Sequence, residues 1–132
     1  MAQVANTLRR GEILLIEDRN EVRQGLAQLL ELHGFMVTEV ADADRGMSEL
    51  AANPQAFALV VLDLLLGDSM GGIDFRRRQL VEPHLAAVPT IVITATEIRD
   101  DDRTPLRPDG WLEKPFRFDT LLELVKRYVQ PV

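Results

Sequence analysis

Ile13-Leu14-Leu15-Ile16-Glu17-Asp18 is the stretch that decides how this sequence is read: an unbroken apolar run of four residues, then two acids. A continuous apolar run, rather than an alternating one, is what a strand covered on both faces requires. Such strands belong to parallel sheets held between layers of helix. Glu17 and Asp18 then fall where the strand ends, at the rim of the sheet.

Working outward, the same pattern returns. Val22, Leu26, Leu29, Leu30 and His33 form a helical stripe, with Asn20 as a candidate N-cap and Gly34 as the stop. Met36 to Val40 alternates as a second strand. Ala43 to Ala52 reads as a short helix carrying Met47, Leu50 and Ala51, closed by Asn53-Pro54. Leu59-Val60-Val61-Leu62 is a third strand, ending in Asp63. The loop Gly67-Asp68-Ser69-Met70-Gly71-Gly72 leads to a helix from about Ile73 to about Val81. Pro83 and Pro89 frame the next connection. Thr90 to Thr94 is a β-branched fourth strand, Trp111-Leu112-Glu113 a brief fifth, and Phe118 to Val129 a last helix with Leu121, Leu122, Val125, Tyr128 and Val129 on one stripe. Between Ala95 and Gly110, the aspartates 100–102 and the rings of Pro105 and Pro108 oppose more than a turn or two of helix.

Strands alternating with helices predict an α/β fold, a doubly wound parallel sheet of five strands in the order 2-1-3-4-5. The expected architecture is a flavodoxin-like three-layer sandwich with a short or irregular fourth helix. Residues 1–10 are expected to be an N-terminal tail and residues 11–130 the domain. Ligands of such sheets bind beyond the carboxyl ends of the strands.

Composition bounds the function. The chain has 132 residues and a formal net charge of −6, which disfavours binding of nucleic acid by the domain as a whole. The Arg76-Arg77-Arg78 run is the local exception and reads as a solvated helix face. No apolar run approaches the roughly 20 residues that cross a bilayer. Cysteine is absent, so thiolate metal sites and disulfides are excluded; a reducing cytoplasm is the expected setting.

The residues that end the strands carry the chemistry. Glu17, Asp18, Asp63, Thr94 and Lys114-Pro115 are brought to one rim by the topology alone. Carboxylates about 4 Å apart repel by roughly 4 kcal/mol per pair at an effective dielectric near 20, so a proton or a cation must offset the charge. A hard divalent ion with oxygen ligands fits, and Mg2+ takes a few carboxylates together with phosphate. Lys114 supplies a point charge and Thr94 a hydroxyl for phosphoryl oxygens. The set reads as a phosphoryl-transfer site with the Asp63 carboxylate as acceptor. Taken singly, each part has an ordinary explanation as a turn, a cap or a β-former; their joint occurrence at successive strand ends does not.

At these residues the sequence resembles the receiver domains of two-component response regulators, the chemotaxis-regulator-like family. The motifs are ILLIED at 13–18, VVLDLLL at 60–66, GGIDF at 71–75, VITAT at 92–96 and WLEKPF at 111–116. The resemblance implies that Asp63 is the phosphorylated residue. It implies Asp18, Asp63 and the backbone carbonyl of Leu65 as magnesium ligands, with Glu17 acting through water. Thr94 would be the switch hydroxyl, Lys114 the phosphoryl-binding lysine, and Pro115 its partner in a cis peptide bond. Trp111 stands where the family carries a switch aromatic. The phosphoryl group would come from a sensor histidine kinase or histidine phosphotransfer protein, and the product would act on a downstream protein target, as a monomer or weak dimer. The sequence departs from the family at Gly67, which stands where proline is usual, in the loop to Gly72, which is one residue longer unless Gly71 is the matching glycine, and in the segment from Thr94 to Lys114, which is about two residues short. His33 and His84 lie away from the rim and read as structural. Two competing functions follow from the same residues: a receiver fold that binds partners without phosphorylation, and a magnesium-dependent hydrolase, against which stands Leu65 where such enzymes usually carry a second aspartate. The chain stops soon after the last helix, so no DNA-binding output domain is expected within it, whether it is a stand-alone receiver or a domain cut from a larger protein.

Overall fold

The fold is seen in a computed structural model that describes residues 8–66, 71–95 and 103–132. Its strands are β1 (Glu12–Ile16), β2 (Val37–Val40), β3 (Phe57–Asp63), β4 (Thr90–Thr94) and β5 (Gly110–Glu113). They form one sheet in the order β2-β1-β3-β4-β5, and every pairing is parallel. The helices are α1 (Asn20–Leu32), α2 (Ala43–Ala52), α3 (Gly71–Val81), the short α4 (Pro83–Ala86) and α5 (Phe118–Lys126). This is the expected doubly wound order. Among the described residues, no helix is long and apolar enough to cross a membrane.

The unbroken apolar runs explain the layers. Side chains along a strand alternate between faces. Leu14, Ile16, Val60 and Leu62 pack on one face of the sheet with Met47, Leu50 and Phe75 from α2 and α3. Ile13, Leu15, Leu59 and Val61 pack on the other with Ala27 and Leu30 of α1 and Leu121 and Val125 of α5. Every residue of β3 is buried, as the central strand of a three-layer sandwich must be.

Local signals fix the helix ends. Asp42 caps α2, its carboxylate accepting from the Arg45 N–H at 2.7 Å. Gly34 ends α1 at φ 92°, a left-handed geometry that glycine adopts without penalty. Asn20 is not the cap of α1: Arg19 holds the N-cap position without a side-chain bond, and Asn20 Oδ1 accepts from Arg23 Nη2 at 2.8 Å. The stripe of α1 is also rotated from the expected one, because the small Ala27 goes fully under the helix while Leu29 stays partly exposed. The last helix is shorter than expected, and Val129 instead forms a parallel bridge with Arg9. Arg9 N–H donates to Tyr128 O at 2.9 Å and Gln130 N–H to Arg9 O at 2.8 Å, so Arg9 is paired with the end of the chain.

The arginine triplet is the main correction. Arg77 and Arg78 are exposed, but Arg76 is 2% exposed. The helix turns Gly72, Phe75, Arg76 and Gln79 inward together. Arg76 is tolerated there because acceptors meet it, two from a distant segment, Leu106 O at 2.9 Å and Arg107 O at 2.7 Å, and one from its own helix, Gln79 Oε1 at 2.7 Å. Between β4 and β5 the described residues are Ala95 and 103–109, which include a 3-10 turn, Thr104–Leu106. Residues 96–102, where the expected fourth helix would begin, and Gly67 with the loop to Met70 lie outside the described residues.

Candidate functional site

The carboxyl ends of β1, β3, β4 and β5 converge as the topology dictates. Asp63 is the last residue of β3 and Thr94 the last of β4. Glu17 follows β1 directly, tied to β2 by its N–H donating to Val40 O at 3.2 Å. Lys114 follows β5, its N–H donating to Thr94 O at 2.7 Å. The Lys114–Pro115 peptide bond is cis.

Lys114 Nζ donates to Asp63 Oδ2 at 2.7 Å and to Glu17 Oε1 at 3.2 Å. Residues 97 and 51 positions away from it in the chain are thereby joined at one ammonium. Each acid is also held by a backbone amide two residues on. Arg19 N–H donates to Glu17 Oε2 at 3.0 Å, and Leu65 N–H to Asp63 Oδ1 at 2.9 Å. These two amides were not singled out in the sequence; the signal that could have found them is the turn geometry expected of an acid ending a strand. Arg23 Nη1 donates to Glu17 O at 3.1 Å and its Nε to Glu39 at 3.0 Å, which anchors the start of α1 beneath the acids.

Carboxylate oxygens of Glu17, Asp18 and Asp63 lie within 4.8 Å of one another, the arrangement of a group that could hold a metal ion. Glu17 and Asp63 are buried and Asp18 is exposed. Oxygen donors alone, three of them anionic if fully ionised, suit a hard divalent cation. Burial raises the Glu17 carboxyl to about 7; the Arg19 N–H opposes this, the neighbouring Asp63 reinforces it and Lys114 opposes it. Burial pulls Lys114 down, yet its bonds and proximity to Asp63 and Glu17 outweigh that and hold it above its ordinary value. The ammonium therefore stays charged beside the two acids it joins.

Of the remaining residues, Leu65 is exposed beside Asp63, and Thr94 is wholly buried at the rim. Trp111 lies one strand further out, opposite Val92 in register, with the Arg103 guanidinium carbon 4.0 Å from its ring centroid and its Nε1 buried without a hydrogen-bond partner. His33 is away from the rim, its Nδ1 2.9 Å from Leu29 O and its ring tilted against Phe118. His84 lies in α4. An open hollow of about 450 Å³, lined by Arg19, Val22, Ala95, Lys114, Pro115 and Phe116, adjoins the acids.

Gly72 shapes the site from the other side. A Cβ there would run into the Asp63 carbonyl and stand 2.5 Å from Leu64 Cα, while its N–H donates to Leu64 O at 3.3 Å. The start of α3 thus rests directly on the backbone of the acidic residue. Gly71 has open space around it but φ 70°.

Comparison with known proteins agrees with this picture. The profile of the family described as response regulator receiver domain matches residues 13–126. The chain is 36% identical over 108 residues to the KDP operon transcriptional regulatory protein KdpE of Escherichia coli, covering 79% of this chain and 44% of KdpE. It is 29% identical over 116 residues to the response regulator receiver protein CpdR of Brucella abortus, covering 87% of this chain and 93% of CpdR. It spans about half the length of the first curated relatives it matches. The structure of the Vibrio cholerae chemotaxis protein CheY4 superposes with a TM-score of 0.78 at 22% identity, over 92% of this chain and 100% of that one.

Proposed function

The chain belongs to the response regulator receiver domain family, and from that premise we propose that it accepts a phosphoryl group on Asp63 in a magnesium-dependent reaction and thereby switches its binding to a partner. The observation that carries the reading is the placement of Lys114 Nζ between Asp63 and Glu17, with Asp18 in the same carboxylate cluster.

Asp18, Asp63 and the Leu65 carbonyl would hold the ion, with Glu17 reaching it through water. When bound, Mg2+ neutralises carboxylate charge and draws in an anionic phosphoryl donor. Every other task falls to the chain. The donor is a phosphohistidine on a sensor kinase or phosphotransfer protein. An Asp63 carboxylate oxygen attacks phosphorus, the P–N bond breaks, and the leaving imidazole takes a proton while an acyl-phosphate forms. The Leu65 N–H holds the Asp63 oxygen that does not attack. Lys114 gives up its hold on the Asp63 carboxylate for a phosphoryl oxygen, and the Thr94 hydroxyl donates to another. The added charge biases the Thr94 and Trp111 region between two arrangements, which a downstream protein target reads.

The test is intact mass after incubation with Mg2+ and acetyl phosphate. One phosphoryl unit of added mass is expected, lost in Asp63→Asn and on chelation by EDTA. An unlabelled wild type under conditions that label other receivers would overturn the proposal.

A further inference from the structure

Helix α3 buries a polar network that the phosphoryl site does not use. Arg76 donates through Nε to Leu106 O, through Nη2 to Arg107 O and through Nη1 to Gln79 Oε1. Gln79 is fully buried, and its Nε2 lies 2.9 Å from Thr90 Oγ1, 3.1 Å from Leu85 O and 3.2 Å from Val88 O. Asp109 Oδ2 is 3.9 Å from Arg76 Nη2 and accepts from Thr90 N–H at 2.8 Å. Desolvating a guanidinium is expensive, and two apolar side chains would fill the same space. A polar network with its partners in place does something a greasy core cannot: it fixes one relative placement of the segments it joins.

The segments it joins are informative. At its first turn α3 rests on the Asp63–Leu64 backbone, with no room for a Cβ at Gly72. One turn later, on the same inward face, Arg76 grips the carbonyls of Leu106 and Arg107. Leu106 is 1% exposed in the core, Arg107 is held at φ 44°, and the turn they end begins after Arg103, whose guanidinium covers Trp111. The backbone at Asp63 is thus linked to the outer strand by a chain of contacts: helix, fork, carbonyls, cation, indole.

We propose that Arg76 is a positioning residue that couples the chemical state of Asp63 to the Arg103–Trp111 face, with α3 as the rigid link. The inference rests on the reading of Asp63 as phosphoacceptor. A residue that only braces the fold would change stability in both states and leave the difference between them intact.

Trp111 is the single tryptophan, so its emission reports this face alone. Wild type and the double variant Arg76→Met/Gln79→Leu, which keeps the volume and removes the network, are incubated with Mg2+ and acetyl phosphate. Intact mass and Trp111 emission are read on the same samples. Wild type should label and change its emission; the double variant should label to the same extent while the emission change falls about fivefold or more, within the range by which such residues modulate coupling. A full-size emission change in the labelled double variant overturns the inference. So does a wild type that labels with no change at Trp111. A wild type that does not label removes the phosphoacceptor reading, and this inference with it. If circular dichroism shows the double variant unfolded, Arg76→Lys, which keeps the charge but not the fork, is measured in the same way; a labelled Arg76→Lys with wild-type amplitude overturns the inference equally.

Discussion

Replacing Glu17 with glutamine removes a carboxyl whose ionisation opposes folding, and the size of the effect can be worked from its surroundings. The carboxyl is raised from 4.5 to about 7, chiefly by burial. Its folded-state value therefore lies above its unfolded one. Stability from this group is fully present below about 4.5 and is lost as pH rises through about 7. At most one proton is involved, so the slope in that window is at most about 1.4 kcal/mol per pH unit. Over the 2.5-unit gap between the two values the total is about 3 kcal/mol. Glutamine imitates the protonated acid: its one oxygen can keep the Arg19 N–H, and its NH2 group, which can no longer accept from Lys114, can donate to Asp63. Glu17→Gln should accordingly match wild type near pH 4.5 and exceed it by up to about 3 kcal/mol at pH 8 in EDTA, roughly 10 °C in melting temperature for a domain of this size. Urea melts at pH 5, 6, 7 and 8 in EDTA measure the difference directly. Saturating Mg2+ should shrink the gap at pH 8, because a cation stabilises the ionised wild-type site. A difference that does not vary with pH, or a variant less stable than wild type at pH 8 without metal, would refute the reasoning.

Three further outcomes are expected. Asp18→Ala should weaken Mg2+ binding by roughly 10- to 100-fold or more, while Arg77→Ala leaves it little changed; titration followed by Trp111 emission or by calorimetry decides, and equal affinities would count against the site. Lys114→Met leaves two buried carboxylates without their cation and should cost about 3–5 kcal/mol at pH 8, less below pH 7, where Glu17 takes a proton, and less again with Mg2+; chemical melts at both pH values show it. Gly72→Ala forces α3 away from the Asp63 carbonyl and should cost about 1–3 kcal/mol, read as a lower denaturant midpoint, together with slower labelling by acetyl phosphate.

The fold was legible because its strands are covered on both faces. Ile13–Ile16 and Leu59–Leu62 cannot alternate and still be buried on both sides, so their composition declares the parallel sheet, and the acids after them mark the rim. What stayed hidden depends on partners far away in the chain. Gly72, Phe75, Arg76 and Gln79 have the spacing of a buried helical face, but only Phe75 among them looks like core. Nothing local announces that carbonyls some 30 residues on will meet the Arg76 guanidinium. The cap at Asn20 failed for a smaller reason: its side chain is taken by Arg23 one turn along. In the site, the charges were readable from residue types, whereas the amides of Arg19 and Leu65 that hold the acids belong to backbone geometry, which side-chain identity does not encode.

The uneven depth of the three acids has a kinetic side. Asp18 meets solvent while Glu17 and Asp63 sit behind it. A hydrated ion sheds its waters slowly, and for an ion held as proposed the most accessible protein oxygen would be that of Asp18. On the proposed reading an arriving ion would meet the outer aspartate first, and the inner pair, joined at the Lys114 ammonium, last.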